Sequence, residues 1–166
     1  MPKTAKAGAS QMAPEDRLGI LAERPGFLIR RLHQIHVALF HDECEAYGLT
    51  PVQYSVLTAL QGDELDQKRL GQRVGIDRAT TTEVLRRLDK AGWIERRKCT
   101  EDARRQLARL TPAGESLLAE VEDSARRAHE RTIEPLTKAE RERFIRYMSK
   151  IVSANNDHGR ASLKLP

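Results

Sequence analysis

Apolar residues in this chain recur every three to four positions through most of its length and alternate in only one short region, so helices are expected almost everywhere. The first strong pattern begins at Pro25: Leu28, Leu32, Ile35 and Leu39 form one stripe, with Ile29, His36 and Phe40 beside it. Proline suits a first helical turn, and Gly48 follows as a stop, so one long helix is predicted from Pro25 to about Tyr47. "LTPVQYSVLTAL" predicts the next, with Thr50 as its cap and Pro51 as its first residue. "DQKRLGQRVGI" reads as a short helix capped by Asp66, with Leu70 and Val74 inward. Gly75-Ile76-Asp77 then makes a tight turn, and Asp77 caps "RATTTEVLRRLDKAG", which Gly92 closes. Thr81, Leu85 and Leu88 line one face of that helix, while Arg78, Thr82 and Arg86 line another.

The period changes at Trp93. "WIERRKC" and "QLARLT" alternate and predict the two strands of a hairpin. Helical spacing then returns. "TPAGESLLAEVEDSARRAHERTIEPL" carries Leu117, Leu118, Val121, Ala125 and Ala128 inward. "TKAERERFIRYMSKIVS" starts with Thr137 and Glu140 as a capping box and shows Ile145, Met148 and Val152 as its stripe. The expected fold is mainly α with a small β-wing, a winged helix-turn-helix joined to a helical dimerisation region. Residues 49–110 form the first part, and residues 25–48 with 111–153 the second. The helices of the second part are too long and too apolar on one face for a lone wing domain, and a second copy would cover that face most economically. Residues 1–24 read as a flexible arm and lead-in, in which "EDRLGILAERPG" forms a short helix or turn, and residues 154–166 as a flexible tail.

Charge sharpens this picture. The chain carries a net charge of +5, which favours a polyanionic partner. Its two cysteines, Cys44 and Cys99, make neither a metal spacing nor a disulfide framework, as suits a reducing compartment. No apolar run approaches the roughly 20 residues needed to cross a bilayer, and residues 1–14 lack the apolar core of a signal peptide. A cytoplasmic protein is expected. No Gly-rich phosphate loop, nucleophile motif or juxtaposed carboxylate pair is present, which points away from an enzyme and from a cofactor.

"LTPVQYSVLTAL", "VGIDRATTTEVLRRLDKAGWIERR" and the wing pattern Asp102-Ala-Arg104, followed by Leu110-Thr111-Pro112-Ala113-Gly114, resemble the MarR family of bacterial transcriptional regulators. The resemblance covers roughly residues 25–153. It implies a homodimer whose wings flank a palindromic operator, and a small-molecule pocket between the dimerisation helices and the DNA-binding lobe. One position departs from the family pattern: residue 83, often basic in relatives, is Glu83 here, with the positive charge at Arg86.

The candidate DNA contacts follow. Arg78, Ala79, Thr80, Thr82 and Arg86 occupy the outward face of the recognition helix, suited to guanine edges and thymine methyls in a major groove. Arg96, Arg97 and Lys98 on the first wing strand would neutralise phosphates. Arg104 would enter the narrow, negative minor groove. Asp102 would stiffen the hairpin, and Arg105 and Arg109 would touch phosphate or pack on the wing.

For an effector, His36 on the apolar face of the first helix, His33 at its margin, Tyr54 and Arg31 suit an aromatic ring bearing a carboxylate, hydroxyl or CoA thioester. "RPGFLIRRLHQIHVALF" also resembles the first helix of family members that control aromatic-compound catabolism. The two histidines also suit a plain core role. Four other readings stay open: zinc on His36, His41 and Cys44, a redox switch at Cys44 or Cys99, an architectural DNA-binding protein with no effector, and a protein-interaction adaptor that has lost DNA binding, against which the arginines on helix and wing argue.

Overall fold

In the computed structural model, the described residues are 19–102, 104–159, 161 and 163. They contain helices α1 (Pro25–Cys44), α2 (Pro51–Leu60), α3 (Gln67–Val74), α4 (Arg78–Lys90), α5 (Pro112–Thr132) and α6 (Lys138–Asn155). Strands β1 (Leu65–Asp66), β2 (Ile94–Lys98) and β3 (Gln106–Leu110) complete the order. Residues 19–22 are also helical, within the lead-in, whereas the arm expected over residues 1–14 lies outside the described residues. Two compact units divide the chain, Met1–Ile35 and His36–Pro166. That boundary falls inside α1.

In the first unit, α1 begins where the Arg24 carbonyl accepts from the Phe27 and Leu28 amides at 3.0 and 3.1 Å. Here the stripe is only partly covered: Leu28 is 52% exposed and Ile35 39%, with Ile29 beside it at 63%, while Leu32 is half-buried.

In the second unit, polar side chains set where the helices start. Thr50 and Gln53 form a reciprocal capping box on α2. Asp66 accepts from the Arg69 amide at 2.9 Å, Asp77 from the Thr80 amide at 2.8 Å, and Thr111 from the Gly114 amide at 3.1 Å. Each pairs one amide that a helix start leaves orphaned. Between α3 and α4 the chain turns at Gly75, whose φ of +74° favours a residue without a Cβ. The core is built from Phe40, Val56, Leu57, Leu60, Leu70, Leu85, Leu88, Ile94 and Val121, all 2% exposed or less. Thr81 joins it by donating its hydroxyl to the Asp77 carbonyl at 2.7 Å.

The sheet has the order β1-β3-β2 and is antiparallel throughout, with Leu65 opposite Ala108, Arg96 opposite Ala108 and Ile94 opposite Leu110. The hairpin was expected, but β1 was not. Two residues are too few to show an alternation. At the base of the wing, Gly114 on α5 lies so close to Trp93 that an added Cβ would sit 1.9 Å from the Trp93 carbonyl oxygen. Thr111 seals the same junction, its amide donating to that oxygen at 3.1 Å and its hydroxyl to the Gly92 carbonyl at 2.7 Å.

Helix α5 buries Leu118, Val121, Ala125 and Ala128, with Leu117 half-buried. Helix α6 buries nothing: Ile145, Tyr147, Ile151 and Val152 are 45–57% exposed. Of the stretch read as a tail, residues 154–155 still belong to α6 and Asn156–His158 form a 3-10 turn. The Asn156 side chain donates to the Leu163 carbonyl and accepts from the Leu163 amide, both at 2.8 Å. The Leu163 side chain lies against Gly75. Among the described residues, no helix is long and apolar enough to cross a membrane.

Candidate nucleic-acid interface

Asp77 caps the amino end of α4, and the face opposite Thr81, Leu85 and Leu88 carries the candidate base readers. Arg78 and Ala79 are exposed and Thr80 is half-buried. Thr82 donates its hydroxyl to the Arg78 carbonyl at 2.8 Å and accepts from Gln67 Nε2 at 2.5 Å. Gln67 also donates to the Arg78 carbonyl at 3.1 Å, so α3 braces the start of α4 through one side chain. Its sequence neighbours give no pattern that singles Gln67 out. A groove of roughly 580 Å³ runs between these helix starts and the wing, lined by Asp66, Gln67, Arg78, Arg96 and Arg105.

Arg86 is not a free cation. It donates to Glu83 through Nε at 2.9 Å and Nη2 at 2.8 Å, and Arg87 adds a third bond to the same carboxylate at 2.7 Å. Arg86 first and Arg87 second hold the Glu83 carboxyl down at about 2, against an ordinary 4.5. The acidic residue at position 83 is thus an internal partner for two arginines.

At the wing tip, Asp102 Oδ1 accepts from the Arg104 amide at 3.0 Å, and its carbonyl accepts from the Arg105 amide at 2.9 Å. This is the stiffening that the D-x-R pattern suggested. Arg104 is exposed, and its guanidinium has no carboxylate partner among the described residues, which also holds for Arg78, Arg96 and Lys98.

Three other wing arginines are already paired. Arg97 donates to Glu64, with Nε at 2.6 Å from Oε1. Arg105 pairs with Asp66, and Arg109 with Glu95 across the hairpin. Burial opposes ionisation of Asp66, but the Arg69 amide and the Arg105 guanidinium outweigh it and hold its carboxyl below the usual range. Sequence spacing reads Arg97 and Arg105 as free cations because their partners lie 33 and 39 residues away.

The candidate effector residues divide between the two units. Arg31 and His33 belong to the first and are exposed, with Arg31 donating to Gln34 at 3.4 Å. His36 and Tyr54 belong to the second, where Phe40 and His129 link them. The His36 ring stacks on His129 at 5.0 Å and 17°, and the Phe40 ring presents an edge to both at 6.2 and 6.4 Å. Tyr54 lies 5.7 Å from Phe40 and 6.5 Å from His129, and donates its hydroxyl to Glu122 at 2.9 Å. Burial and then Glu122 push the Tyr54 phenol up. His36 Nδ1 lies 2.9 Å from the Thr132 hydroxyl, whose own proton goes to the Ala128 carbonyl at 2.8 Å.

Sequence reasoning missed His129, because "RRAHERT" reads as solvated charge. His129 is itself exposed, and its one available signal is that it follows the buried Ala128 on α5. Beside this cluster, Glu43 accepts from Arg127 and from Arg131, both at 2.8 Å, and Asp42 accepts from Arg131 at 2.6 Å, fastening α5 to the end of α1.

The zinc reading finds no support in this geometry. Cys44 is 1% exposed while His41 is exposed, and the described residues hold no group of three His, Cys, Asp or Glu that could ligate a metal ion. For the redox reading, Cys44 and Cys99 are both buried, and burial pushes the Cys44 thiol up, away from reactivity.

Fold and cation placement together define a winged helix-turn-helix of the DNA-reading type. The MarR family model matches residues 47–105. The regulator SarZ of Staphylococcus epidermidis is 37% identical over 79 residues, which are 47% of this chain and 53% of SarZ, so the match spans about half of that relative. The PcaV transcriptional regulator of Streptomyces coelicolor, solved in complex with its natural ligand, is 34% identical with a TM-score of 0.73, covering 81% of this chain and 95% of PcaV. BpsR of Bordetella bronchiseptica, whose DNA binding is regulated by 6-hydroxynicotinic acid, is 30% identical with a TM-score of 0.75, covering 78% of this chain and 94% of BpsR. The chain belongs to the MarR family of DNA-binding transcriptional regulators, and its relatives are regulators rather than enzymes.

Proposed function

We propose that this chain is a cytoplasmic homodimeric repressor that binds a palindromic operator and releases it when a small aromatic acid, or its CoA thioester, binds. The observation that carries the DNA half is the placement of Arg78 at the start of α4 and Arg104 at the wing tip, both exposed and neither neutralised by a carboxylate among the described residues. Arg78, Ala79 and Thr80 read a major groove, and Thr82, its hydroxyl already engaged, offers its methyl to a thymine methyl. Arg86, drawn to Glu83, serves that face as half of an ion pair. Arg96 and Lys98 meet phosphates, and Arg104, held by Asp102, enters the minor groove.

The uncovered apolar faces support the dimer. Residues 25–48 and 111–153 form the dimerisation region, with a second copy covering Ile145, Met148, Ile151 and Val152 of α6. Two wings and two recognition helices on one operator would exclude a polymerase by occupancy, which is repression.

For the effector, the stacked His36–His129 pair, edged by Phe40 and Tyr54, supplies an aromatic wall with polar groups. The ligands of PcaV and BpsR suggest the class. Release requires only that the ligand bind the operator-incompetent spacing of the recognition helices more tightly than the competent one.

The test is fluorescence anisotropy on the DNA upstream of the chain's own gene, at fixed salt, with and without aromatic acids and their CoA thioesters. Tight binding relieved by one compound is the expected result. Equal affinity for random DNA would reduce the protein to an architectural binder. Operator binding that no compound relieves would remove the effector.

A further inference from the structure

Glu64 and Asp66 flank Leu65, which is 6% exposed and sends its side chain into the core from β1. On either side of Leu65, Glu64, just before β1, takes Arg97 from β2, and Asp66 takes Arg105 from the wing loop. Register makes this possible, since Leu65 pairs with Ala108 and Asp66 with Leu107 on β3, and Leu107 in turn faces Arg97 on β2. Glu64 and Asp66 are the less exposed members of their pairs, at 23% and 13% of the side chain, against 48% and 38% for the arginines. The Asp66–Arg105 pair lines the groove that also holds Arg78 and Arg96, whereas Glu64 and Arg97 lie outside its lining.

We infer that Glu64 and Asp66 act as built-in stand-ins for DNA phosphates, keeping Arg97 and Arg105 out of the set of cations that DNA can recruit and so limiting attachment to random sequence. This rests on the DNA-binding reading above. Affinity for random DNA comes almost entirely from cations that displace condensed counterions, and the slope of log affinity against log salt counts them, at about 0.9 per phosphate neutralised on duplex DNA. A guanidinium already holding a carboxylate adds little to that count. Exposed ion pairs contribute little to stability, so the value of these two lies in what they withhold. On an operator, recognition helices and wing tips fix the register, and base contacts supply the discrimination. On random DNA nothing fixes the register, so a released arginine is free to find a phosphate.

The experiment measures salt slopes of the full-length protein on random duplex and on operator DNA. The variants are Glu64→Gln and Asp66→Asn, the latter keeping an asparagine where α3 needs its cap. Arg97→Gln and Arg105→Gln are the reciprocal pair. Each carboxylate variant is expected to steepen the random-DNA slope by about 0.9 per released arginine that meets phosphate. It should also tighten random-DNA binding several-fold and lower the operator-to-random ratio. The two arginine variants should leave the wild-type slope unchanged.

The inference is overturned if the carboxylate variants keep the wild-type slope on random DNA with thermal unfolding unaltered. It is equally overturned if the arginine variants flatten the wild-type slope, since those side chains would then already be meeting phosphate. Failure of the wild type to bind any duplex would instead overturn the DNA-binding reading on which the inference stands.

Discussion

The proposed wing contact rests most directly on Arg104, because Asp102 holds its backbone while its guanidinium has no carboxylate partner among the described residues. Arg104→Ala should weaken operator binding at least about tenfold, in line with losing one good groove contact, without changing the oligomer. Anisotropy alongside light scattering checks both. Glu83 gives a pH prediction. Its folded-state value of about 2 lies below the ordinary 4.5, so its stabilisation is complete above about pH 4.5 and is lost as pH falls through about 2. Glu83→Gln should therefore flatten the fall of Tm across that window, as a thermal scan at stepped pH would show. Cys44 and Cys99, 1% and 8% exposed, should resist a disulfide reagent in the native protein and both react after denaturation. Prompt native reaction would restore the redox reading. Which arginines stand at the wing was legible in the sequence, as was the turn-stiffening Asp102. Which of them are neutralised was not, because a partner 33 or 39 residues away leaves no mark on local spacing.

Helices and their caps were the most legible features, since Thr50, Asp66, Asp77, Thr111 and Thr137 each announce a start by chemistry confined to one turn. Strand β1 was invisible for the opposite reason: its two residues pair only because β3 arrives beside them. The Gly114 contact was equally hidden. A glycine at the third position of a helix looks dispensable until Trp93 is seen against it. Gly114→Ala must push the wing base away from α5 and should cost about 3 kcal/mol, the upper range for forcing atoms into filled space. Chemical denaturation measures this, and the variant should also lose operator affinity through the displaced wing.

For the molecule as a whole, the apolar stripes were legible but what covers them was not, because periodicity cannot distinguish a neighbouring helix from another copy. Helix α5 covers its stripe within the chain, whereas α6 leaves Ile151 57% and Tyr147 56% exposed. Ile151→Glu should shift the protein to monomer in light scattering and reduce operator affinity by more than tenfold, while the control Lys150→Glu should not change its mass. A dimer that survives Ile151→Glu would move the interface elsewhere. The aromatic cluster was half legible: His36 and Tyr54 stand out on their own helices, whereas His129 emerges only once α5 lies alongside.

The seam at Gly114 bears on how a signal could travel. With Thr111 bonded to both Gly92 and Trp93 and no room for even a methyl group, the first turn of α5 has no play against the wing. The whole helix runs 21 residues, roughly 30 Å, and carries His129 and the Arg131 ties to Asp42 and Glu43 near its far end. A helix soldered at one end and loaded at the other behaves as a rigid pointer. On the proposed effector reading, a ligand that displaces the histidine end of α5 would carry the wing with it, and its effect would follow the tilt of α5 rather than slack in a loop.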